Sequence, residues 1–349
     1  MADSNTTLFG LTLPEVGASA DTWGTKLNSG LTFLDVLFAQ INPVQHRLSL
    51  TTAVPVTVSD VTAATTLYMT PDKGNGIVNF DGTYWDVVAQ SELSLAFSSN
   101  NAHTNYHQSG KNFDVWYFDD GGTKRIGTGA AWTNDTTRAD ALVRLNGVYV
   151  NNATIAAMRF GSASGNTVSV SANRATWLGT IRMSADGQCE DSLAKRFVWN
   201  AYNRRPRAMR VLEATDSWTY TSTTVRQTNN STANQLAFVR GLDEDAAKAW
   251  THAEATTSDT TKHTIATSIG LDSTSAFAAG SFPAFVQIIN STNGPQLGAP
   301  TAHYEGFPGL GYHYLAWQEK GGGSGTVTWY GDNGAPSATQ NGIFGEVFA

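Results

Sequence analysis

The sequence predicts a mainly β protein, with a short N-terminal helical segment followed by two antiparallel β-sandwich or jelly-roll-like domains. Charged residues make up only 15% of the chain, and the polar surface comes instead from Thr, Ser, Asn and Gly, which favour strands and turns. Turn signals recur at a spacing of roughly 8–12 residues, as in all-β sandwiches and barrels. Aromatic residues, at 11%, indicate a folded chain that buries large side chains.

The length of the chain predicts more than one domain. A chain of 349 residues exceeds the usual domain size of about 100–200 residues. Pro206 marks a boundary in the middle of the chain. We therefore expect an N-terminal segment at 1–45, a β-rich domain at 46–206 and a C-terminal β-domain at 207–349.

The N-terminal segment carries the strong helical pattern of the sequence. After Asp21 as a cap, apolar residues recur at alternating spacings of four and three, which is the a/d pattern of a coiled coil. Pro43 ends the pattern. It predicts either an amphipathic helix packed on its own domain or a helix that bundles between chains, and in both cases an attachment or assembly element. The apolar residues are Leu27, Leu31, Leu34, Phe38 and Ile41.

Glycine-containing turns predict the β-hairpins. Asp81-Gly82, within residues 75–88, suits a type I′ turn with positive φ angles, and Asp120-Gly121-Gly122 repeats the pattern within residues 114–126. The glycine run in residues 319–326 predicts a flexible hairpin tip. Residues 243–252 predict at most one short helix. Further strands are expected in residues 47–58, 60–69, 141–145, 148–150, 167–170, 235–239, 282–289, 311–318, 326–330 and 342–349.

The charge and cysteine content exclude several classes of protein. A net charge of −7 and a pI near 5.4 argue against general binding to nucleic acids or membranes, which requires a basic surface. The basic residues within 195–210 are therefore expected to pair with carboxylates, in an interdomain or intersubunit strand. The single cysteine, Cys189, excludes an intrachain disulfide framework.

Two clusters of polar residues could carry chemistry. Asp114, Asp119 and Asp120, together with Asp81 and Asp86, could include the two acids of a glycoside hydrolase, although Asp-Gly pairs primarily form turns. His103 and His107 have the spacing of two metal ligands on a helix, but their surroundings predict a loop. We therefore predict no catalytic, cofactor-binding or metal-binding residues and no enzymatic activity.

Two stretches of the chain resemble bacteriophage structural proteins. Residues 11–34 are similar to the N-terminal segment of many phage tail-fibre and virion proteins, with the pattern L-x-L-P-x-x-G followed by D-x-W-G-x-x-L-N. Residues 68–204 resemble a module of phage and prophage structural proteins, with the ordered landmarks YMTPDKGN, DGTYW, SELS, FDVW, WLGTIR and RFVWNAYNR. The matching residues of the first stretch are Leu13, Pro14, Gly17, Asp21, Trp23, Gly24, Leu27 and Asn28.

The resemblance implies a structural subunit of a virion fibre or spike that forms a homotrimer. Residues 46–206 would form the shaft and residues 207–349 the head. Expected partners are other virion proteins, bound through the N-terminus, and a host cell-surface glycan or protein. No signal peptide is recognised, so assembly in the bacterial cytoplasm and a final location on the virion surface are expected. The anchoring and assembly residues would be Leu13, Pro14, Trp23, Leu27, Leu31, Leu34 and Phe38.

Two alternative functions stay open. One is a polysaccharide-degrading tailspike hydrolase, although such spikes commonly resemble right-handed β-helices and the sequence lacks the short repeats that a β-helix requires. The other is a purely architectural decoration protein that binds no receptor.

Overall fold

The computed structural model describes residues 43–332 and 339–349, together with the backbone of two short strands near the N-terminus. The chain divides into two compact units. Unit 1 comprises Met1–Cys189 and Asn200–Asn203, and unit 2 comprises Glu190–Trp199 and Arg204–Ala349. Both are built from strands, which confirms the mainly β prediction; the described residues form no α-helix and one short 3-10 turn at Thr228–Asn230.

Unit 1 consists of short strands joined by turns. They are β1 (Ser4–Asn5), β2 (Thr12–Leu13), β3 (His46–Ser49), β4 (Val61–Ala64), β5 (Thr66–Pro71), β6 (Gly76–Phe80), β7 (Trp85–Ala89), β8 (Leu93–Ala96), β9 (Asn112–Asp120), β10 (Thr123–Thr128), β11 (Leu142–Leu145), β12 (Val148–Asn151), β13 (Ile155–Arg159), β14 (Thr167–Val170) and β15 (Ala175–Ala185).

Strand β9 is the centre of unit 1. It pairs antiparallel with β10 on one side and β15 on the other, in a sheet ordered β14-β13-β10-β9-β15. Its first seven residues are buried, because both faces of the sheet are covered. Trp116 lies opposite Trp177, and both indoles are fully buried. Smaller sheets, β3-β5-β8 and β6-β7, complete the unit.

Two of the tight turns contain residue pairs that tolerate left-handed backbone. Asp120 pairs with Thr123, so Gly121 and Gly122 form a two-residue turn with φ angles of 59° and 93°. Asn146 and Gly147 join β11 to β12 in the same way, with φ angles of 50° and 87°. Both match the type I′ geometry that suits the twist of a hairpin.

The predicted type I′ turn at Asp81-Gly82 is wrong, although the hairpin itself is confirmed. Phe80 pairs with Trp85, so the loop has four residues, 81–84, instead of two. Gly82 alone in this loop has a positive φ, of 96°. The Asp81 side chain closes the loop by accepting hydrogen bonds from the backbone N–H groups of Thr83 and Tyr84.

The remaining strands belong to unit 2 or lie where the chain passes between the two units. They are β16 (Gln188–Asp191), β17 (Lys195–Arg196), β18 (Val198–Asn200), β19 (Pro206–Leu212), β20 (Ser217–Thr219), β21 (Arg226–Gln227), β22 (Gln235–Arg240), β23 (Ala247–His252), β24 (Glu254–Thr257), β25 (His263–Leu271), β26 (Ser281–Phe282), β27 (Ala284–Ile288), β28 (Asn290–Ser291), β29 (Gly294–Pro295), β30 (Thr301–Gly306), β31 (Gly311–Lys320), β32 (Val327–Tyr330) and β33 (Gly342–Phe348).

Two sheets of unit 2 contribute side chains to one hydrophobic core. One sheet contains β17-β22-β31-β25-β27 in that order, and the other contains β19-β33-β23-β30-β26. Leu236 and Trp317 come from the first sheet, and Met209 and Ile343 from the second, and all are buried in the same cluster. The inward residues alternate with outward ones along each strand of the second sheet, as antiparallel sheets with one solvated face require.

Two predictions for unit 2 are corrected by the structure. Residues 243–252 do not contain a helix, since Ala247–His252 is strand β23. The glycine run after Glu319 is not a hairpin tip, because β31 and β32 belong to different sheets. Instead, Gly321 passes so close to the backbone of Thr221 that a side chain there would clash with it.

The predicted N-terminal helix falls on residues 21–42, outside the described part of the chain. Close to it, β1 and β2 pair antiparallel, with Ser4 opposite Leu13. Within the described ranges, no helix has the length and hydropathy needed to span a membrane.

We expect Gly122→Ala to destabilise unit 1 by about 1–2 kcal/mol, because the left-handed backbone at this position is unfavourable for any residue with a Cβ. Gly165→Ala is the matched control, since Gly165 also has open space around it but no positive φ. Urea denaturation of the two variants measures the difference. Equal stability of the two would show that the turn tolerates a side chain.

Candidate functional site

A polar pocket of about 420 Å³ opens on unit 1. Two hairpins and one connecting segment form it: the β6–β7 hairpin, the β9–β10 hairpin, and β14 with the connection to β15. Carboxylates, cations and hydroxyl groups dominate its lining, with one partly exposed aromatic ring. The lining residues are Asn79, Phe80, Asp81, Asp86, Asp119, Lys124, Ser169, Val170, Ser171 and Arg174.

Asp81 enters the pocket from the four-residue loop between β6 and β7. Its Oδ1 accepts hydrogen bonds from the backbone N–H groups of Tyr84, at 2.7 Å, and Thr83, at 2.6 Å. These bonds lower the pKa of Asp81, and the positive charge of Arg174 lowers it further. The Arg174 guanidinium lies against Gly82, where a side chain would displace it. The loop therefore holds an ionised carboxylate beside a cation.

Asp119 lies at the end of β9 and pairs with Lys124 on β10. Lys124 Nζ is 2.8 Å from Asp119 Oδ2, and the backbone N–H of Gly122 donates to Oδ1 at 2.5 Å. The hydrogen bond from Lys124 is the main cause of the lowered pKa of Asp119. The tight Gly121-Gly122 turn thus places both the cation and the N–H group on this carboxylate.

The pocket brings together three of the five carboxylates that the sequence suggested for glycoside hydrolysis: Asp81, Asp86 and Asp119. A glycoside hydrolase needs one carboxylic acid with a raised pKa to protonate the leaving group. The pKa values of Asp81 and Asp119 are shifted in the opposite direction. The arrangement is suited to hydrogen bonding with a polar ligand, since it offers ionised acceptors and cationic donors in one place.

Asp114 lies away from the pocket and serves the fold. It is 2% exposed on β9. Its Oδ1 accepts from Trp177 Nε1 at 3.0 Å and Thr180 Oγ1 at 2.7 Å, and its Oδ2 accepts from Trp132 Nε1 at 3.0 Å and Arg138 Nε at 2.9 Å. Four donors thus surround one buried charge, as stable burial of a carboxylate requires.

Asp120, the fifth of these carboxylates, also has a structural partner. Arg125 Nε lies 2.7 Å from Asp120 Oδ2. The Arg125 guanidinium stacks over the ring of Phe160 at 4.3 Å from the centroid. This ion pair joins the two strands of the β9–β10 hairpin next to its turn.

Asp140 is a perturbed carboxyl that the sequence did not single out. Burial raises its pKa to about 6, and the negative charge of Asp114 adds to the rise. The backbone N–H of Ala130 donates to its Oδ2 at 3.2 Å. Because its folded pKa is above the unfolded value, Asp140 stabilises the protein most below pH 4 and loses that contribution as the pH rises through about 6.

The two histidines considered as metal ligands have other roles. His107 is buried between the rings of Phe97 and Phe113, at centroid distances of 4.8 and 5.3 Å. Its Nδ1 accepts from the Ser98 backbone N–H, so the proton lies on Nε2, which donates to Thr128 Oγ1. His103 Nδ1 contacts Ser98 Oγ instead. No group of three or more potential metal ligands occurs in the part of the chain that the structure describes.

The basic segment 195–210 forms ion pairs, as the sequence predicted. Arg196 and Arg207 both bind the buried carboxylate of Asp191, at 2.9 and 3.0 Å. Arg204 bridges Glu244 and Asp245, at 2.8 and 2.9 Å. These positive charges are therefore engaged within unit 2.

Of the predicted anchoring residues, Leu13 belongs to strand β2. The others, Pro14, Trp23, Leu27, Leu31, Leu34 and Phe38, lie outside the described residues, and their role stays a prediction. Cys189 is buried, and its Sγ contacts the carbonyl oxygen of Arg182 at 3.3 Å.

We expect Asp114→Asn to lower the free energy of unfolding by about 3–5 kcal/mol, because the amide cannot accept all four hydrogen bonds and the buried ion pair with Arg138 is lost. Asp119→Asn is the control, since it breaks a partly exposed ion pair worth about 0–1 kcal/mol. Urea denaturation followed by tryptophan fluorescence compares them. Similar losses in the two variants would contradict the structural role of Asp114.

A second prediction concerns acid stability. Burial, and secondarily the charge of Arg159, lower the pKa of His107 to about 3. The unfolded chain therefore binds a proton between pH 6.5 and 3 that the folded chain does not, and stability falls as the pH falls through this window. His107→Gln should flatten that part of the stability curve, and His103→Gln, in the same loop but without the enclosing aromatic rings, is the matched control. Denaturation midpoints measured from pH 4 to 7 test this, and an unchanged slope in His107→Gln would contradict it.

Comparisons with known proteins place the chain in no family. No family model matches it, and no curated protein matches it. Among solved structures, a tryptic core variant of Cry1Da from Bacillus thuringiensis aligns with 82% of this chain and 48% of its own length, at 6% identity and a TM-score of 0.17. This chain thus spans about half the length of that structure. A similarity at this level carries no argument about fold or function.

Proposed function

We propose that this chain is a structural subunit of a bacteriophage virion fibre or spike that contributes to attachment at the host surface. The order of sequence motifs in residues 11–34 and 68–204, which resembles phage structural proteins, supports the viral assignment. The observation that supports a non-catalytic role is that aspartates of unit 1 are engaged in structural hydrogen bonds and ion pairs. Asp114 is saturated by structural donors, and Asp119 and Asp120 form ion pairs with Lys124 and Arg125.

The architecture is consistent with a rigid display protein. Two sheets of unit 2 share one core, and we propose that this unit is a β-sandwich. Buried ion pairs, such as that of Asp191 with Arg196 and Arg207, hold the backbone in a fixed geometry. We propose that three copies associate, with residues 1–45 as the virion anchor and the β-units projecting outward.

Trimeric display would make weak contacts effective. When three identical sites engage one surface, the second and third bind at a high effective concentration, so a modest affinity per site becomes strong attachment. The pocket of unit 1 suits such a contact, because it offers several hydrogen-bonding groups at an open surface.

We expect the purified full chain to sediment as a trimer of 37.3 kDa subunits and to compete with phage particles for adsorption to host cells. Analytical ultracentrifugation and an adsorption assay measure the two properties, with the heat-denatured chain as the control. A stable monomer would contradict the trimer. Failure to block adsorption would favour the purely architectural role, and release of reducing sugar from host polysaccharide would favour the hydrolase.

A further inference from the structure

A row of aromatic side chains crosses the outward face of the sheet β19-β33-β23-β30-β26 in unit 2. The strand register aligns Phe344 on β33 with Trp250 on β23, Trp250 with His303 on β30, and His303 with Phe282 on β26. Arg210 on β19 pairs with Phe344 and ends the row. We call Phe344, Trp250, His303 and Phe282 the aromatic row.

Two neighbouring pairs of rings in the row lie close together, with ring planes that are near parallel. Trp250 and His303 have centroids 5.6 Å apart and an interplanar angle of 33°. His303 and Phe282 are 6.4 Å apart and stacked at 22°. Phe282 is 72% exposed, Trp250 41% and Phe344 36%. The sheet therefore presents four aromatic side chains in a line, all at least partly accessible to solvent.

Polar residues border the aromatic row on both sides. One border is formed by Glu346, Lys248 and Glu305, each two residues away from the row on its own strand. Lys248 Nζ lies 3.1 Å from Glu305 Oε1. In the other direction lie His252 and Thr301, whose side chains contact each other at 3.4 Å. The apolar surface is thus one residue wide, with hydrogen-bonding groups along each edge.

The narrow width of this apolar surface favours one class of ligand. A stable protein interface of standard size buries about 800 Å² on each partner around an apolar centre that is depleted of charge. The aromatic row has charged neighbours within two residues on every central strand, so it does not supply such a centre. A pyranose ring fits better, because its flat C–H face stacks on an aromatic ring while its hydroxyl groups reach the polar edges.

The charges of the face indicate which glycans fit. Arg210 and Lys248 carry two positive charges, and Glu305 and Glu346 carry two negative charges. The face is therefore balanced, and it offers no surplus of positive charge for an acidic polysaccharide.

We propose that the aromatic row is a binding site for an extended neutral polysaccharide, whose successive pyranose rings stack along Phe344, Trp250, His303 and Phe282. The row runs across the strands, so the spacing of its rings is set by the spacing of neighbouring strands. The inference rests on the proposed attachment role, and it gives that role a location in unit 2 and a ligand class.

Variants of the row should leave the fold intact, because its side chains point away from the core. The inward residues of β23, Ala247, Ala249 and Thr251, are buried, and they alternate with the outward Lys248, Trp250 and His252. Substitution of an outward ring therefore removes surface contacts without opening a cavity.

Isothermal titration of the full chain with cellohexaose, chitohexaose and maltohexaose tests the proposal. We expect millimolar or tighter binding to at least one of them, and a loss of about tenfold in affinity for both Trp250→Ala and Phe282→Ala. Trp250→Phe should retain part of the affinity. Phe285→Ala is the matched control, because Phe285 is also exposed, at 57%, but lies on β27 in the other sheet.

Several outcomes would overturn the inference. They are the absence of binding to all three oligosaccharides, equal binding by Trp250→Ala and the parent chain, or a change in oligomeric state in the row variants, which would identify the row as a contact between copies. The adsorption assay separates this inference from the proposed function. Oligosaccharide binding without competition for adsorption supports the site but not the attachment role, whereas competition that survives Trp250→Ala supports attachment by another surface.

Discussion

Unit 1 depends on the hydrogen bonding of one buried charge, the carboxylate of Asp114. Its four donors come from strand β15 and from the segment after β10, so a single side chain joins parts of the sequence more than sixty residues apart. Asp114 lies opposite Thr180, and beyond a register shift between Trp177 and Gly179, Phe118 lies opposite Ala175. Asp119 lies near the end of the same strand, β9, and lines the pocket. The position of the Asp119 carboxylate therefore depends on the hydrogen bonds that fix Asp114.

The buried polar groups also give unit 1 two opposing responses to acid. His107 loses its stabilising contribution as the pH falls below 6.5, because burial prevents its protonation in the folded state. Asp140 gains stability over part of the same range, because its raised pKa lets the folded state bind a proton first. The two effects partly cancel near pH 5. A substitution of His107 or Asp140 alone would therefore reveal the pH dependence of stability that the other residue causes.

The sequence predicted those features whose cause is local. The predicted Gly121-Gly122 turn needs positive φ angles, and its glycines are visible without a structure. The expected strands at 141–145 and 148–150 are likewise joined by a short turn, at Asn146-Gly147. The predicted two-residue turn at Asp81-Gly82 was wrong because the Asp81 side chain caps a four-residue loop. Strand β23 was missed because its inward residues, Ala247, Ala249 and Thr251, are too small to give an apolar alternation. Asp114 is buried whereas Asp119 lines the pocket, and this difference arises from residues that are distant in the sequence. No local sequence pattern indicates it. The aromatic row was hidden for the same reason, since it exists only when four separated strands align.

The alternation along β23 has a consequence for how the protein can change over generations. Each strand of that sheet carries two independent sets of residues, one that fixes the core and one that meets the solvent. Mutations in the outer set face a weaker packing constraint than mutations in the core, so the surface can diversify while the scaffold stays constant. Single substitutions therefore alter the chemistry of this face with little loss of folding stability at each step.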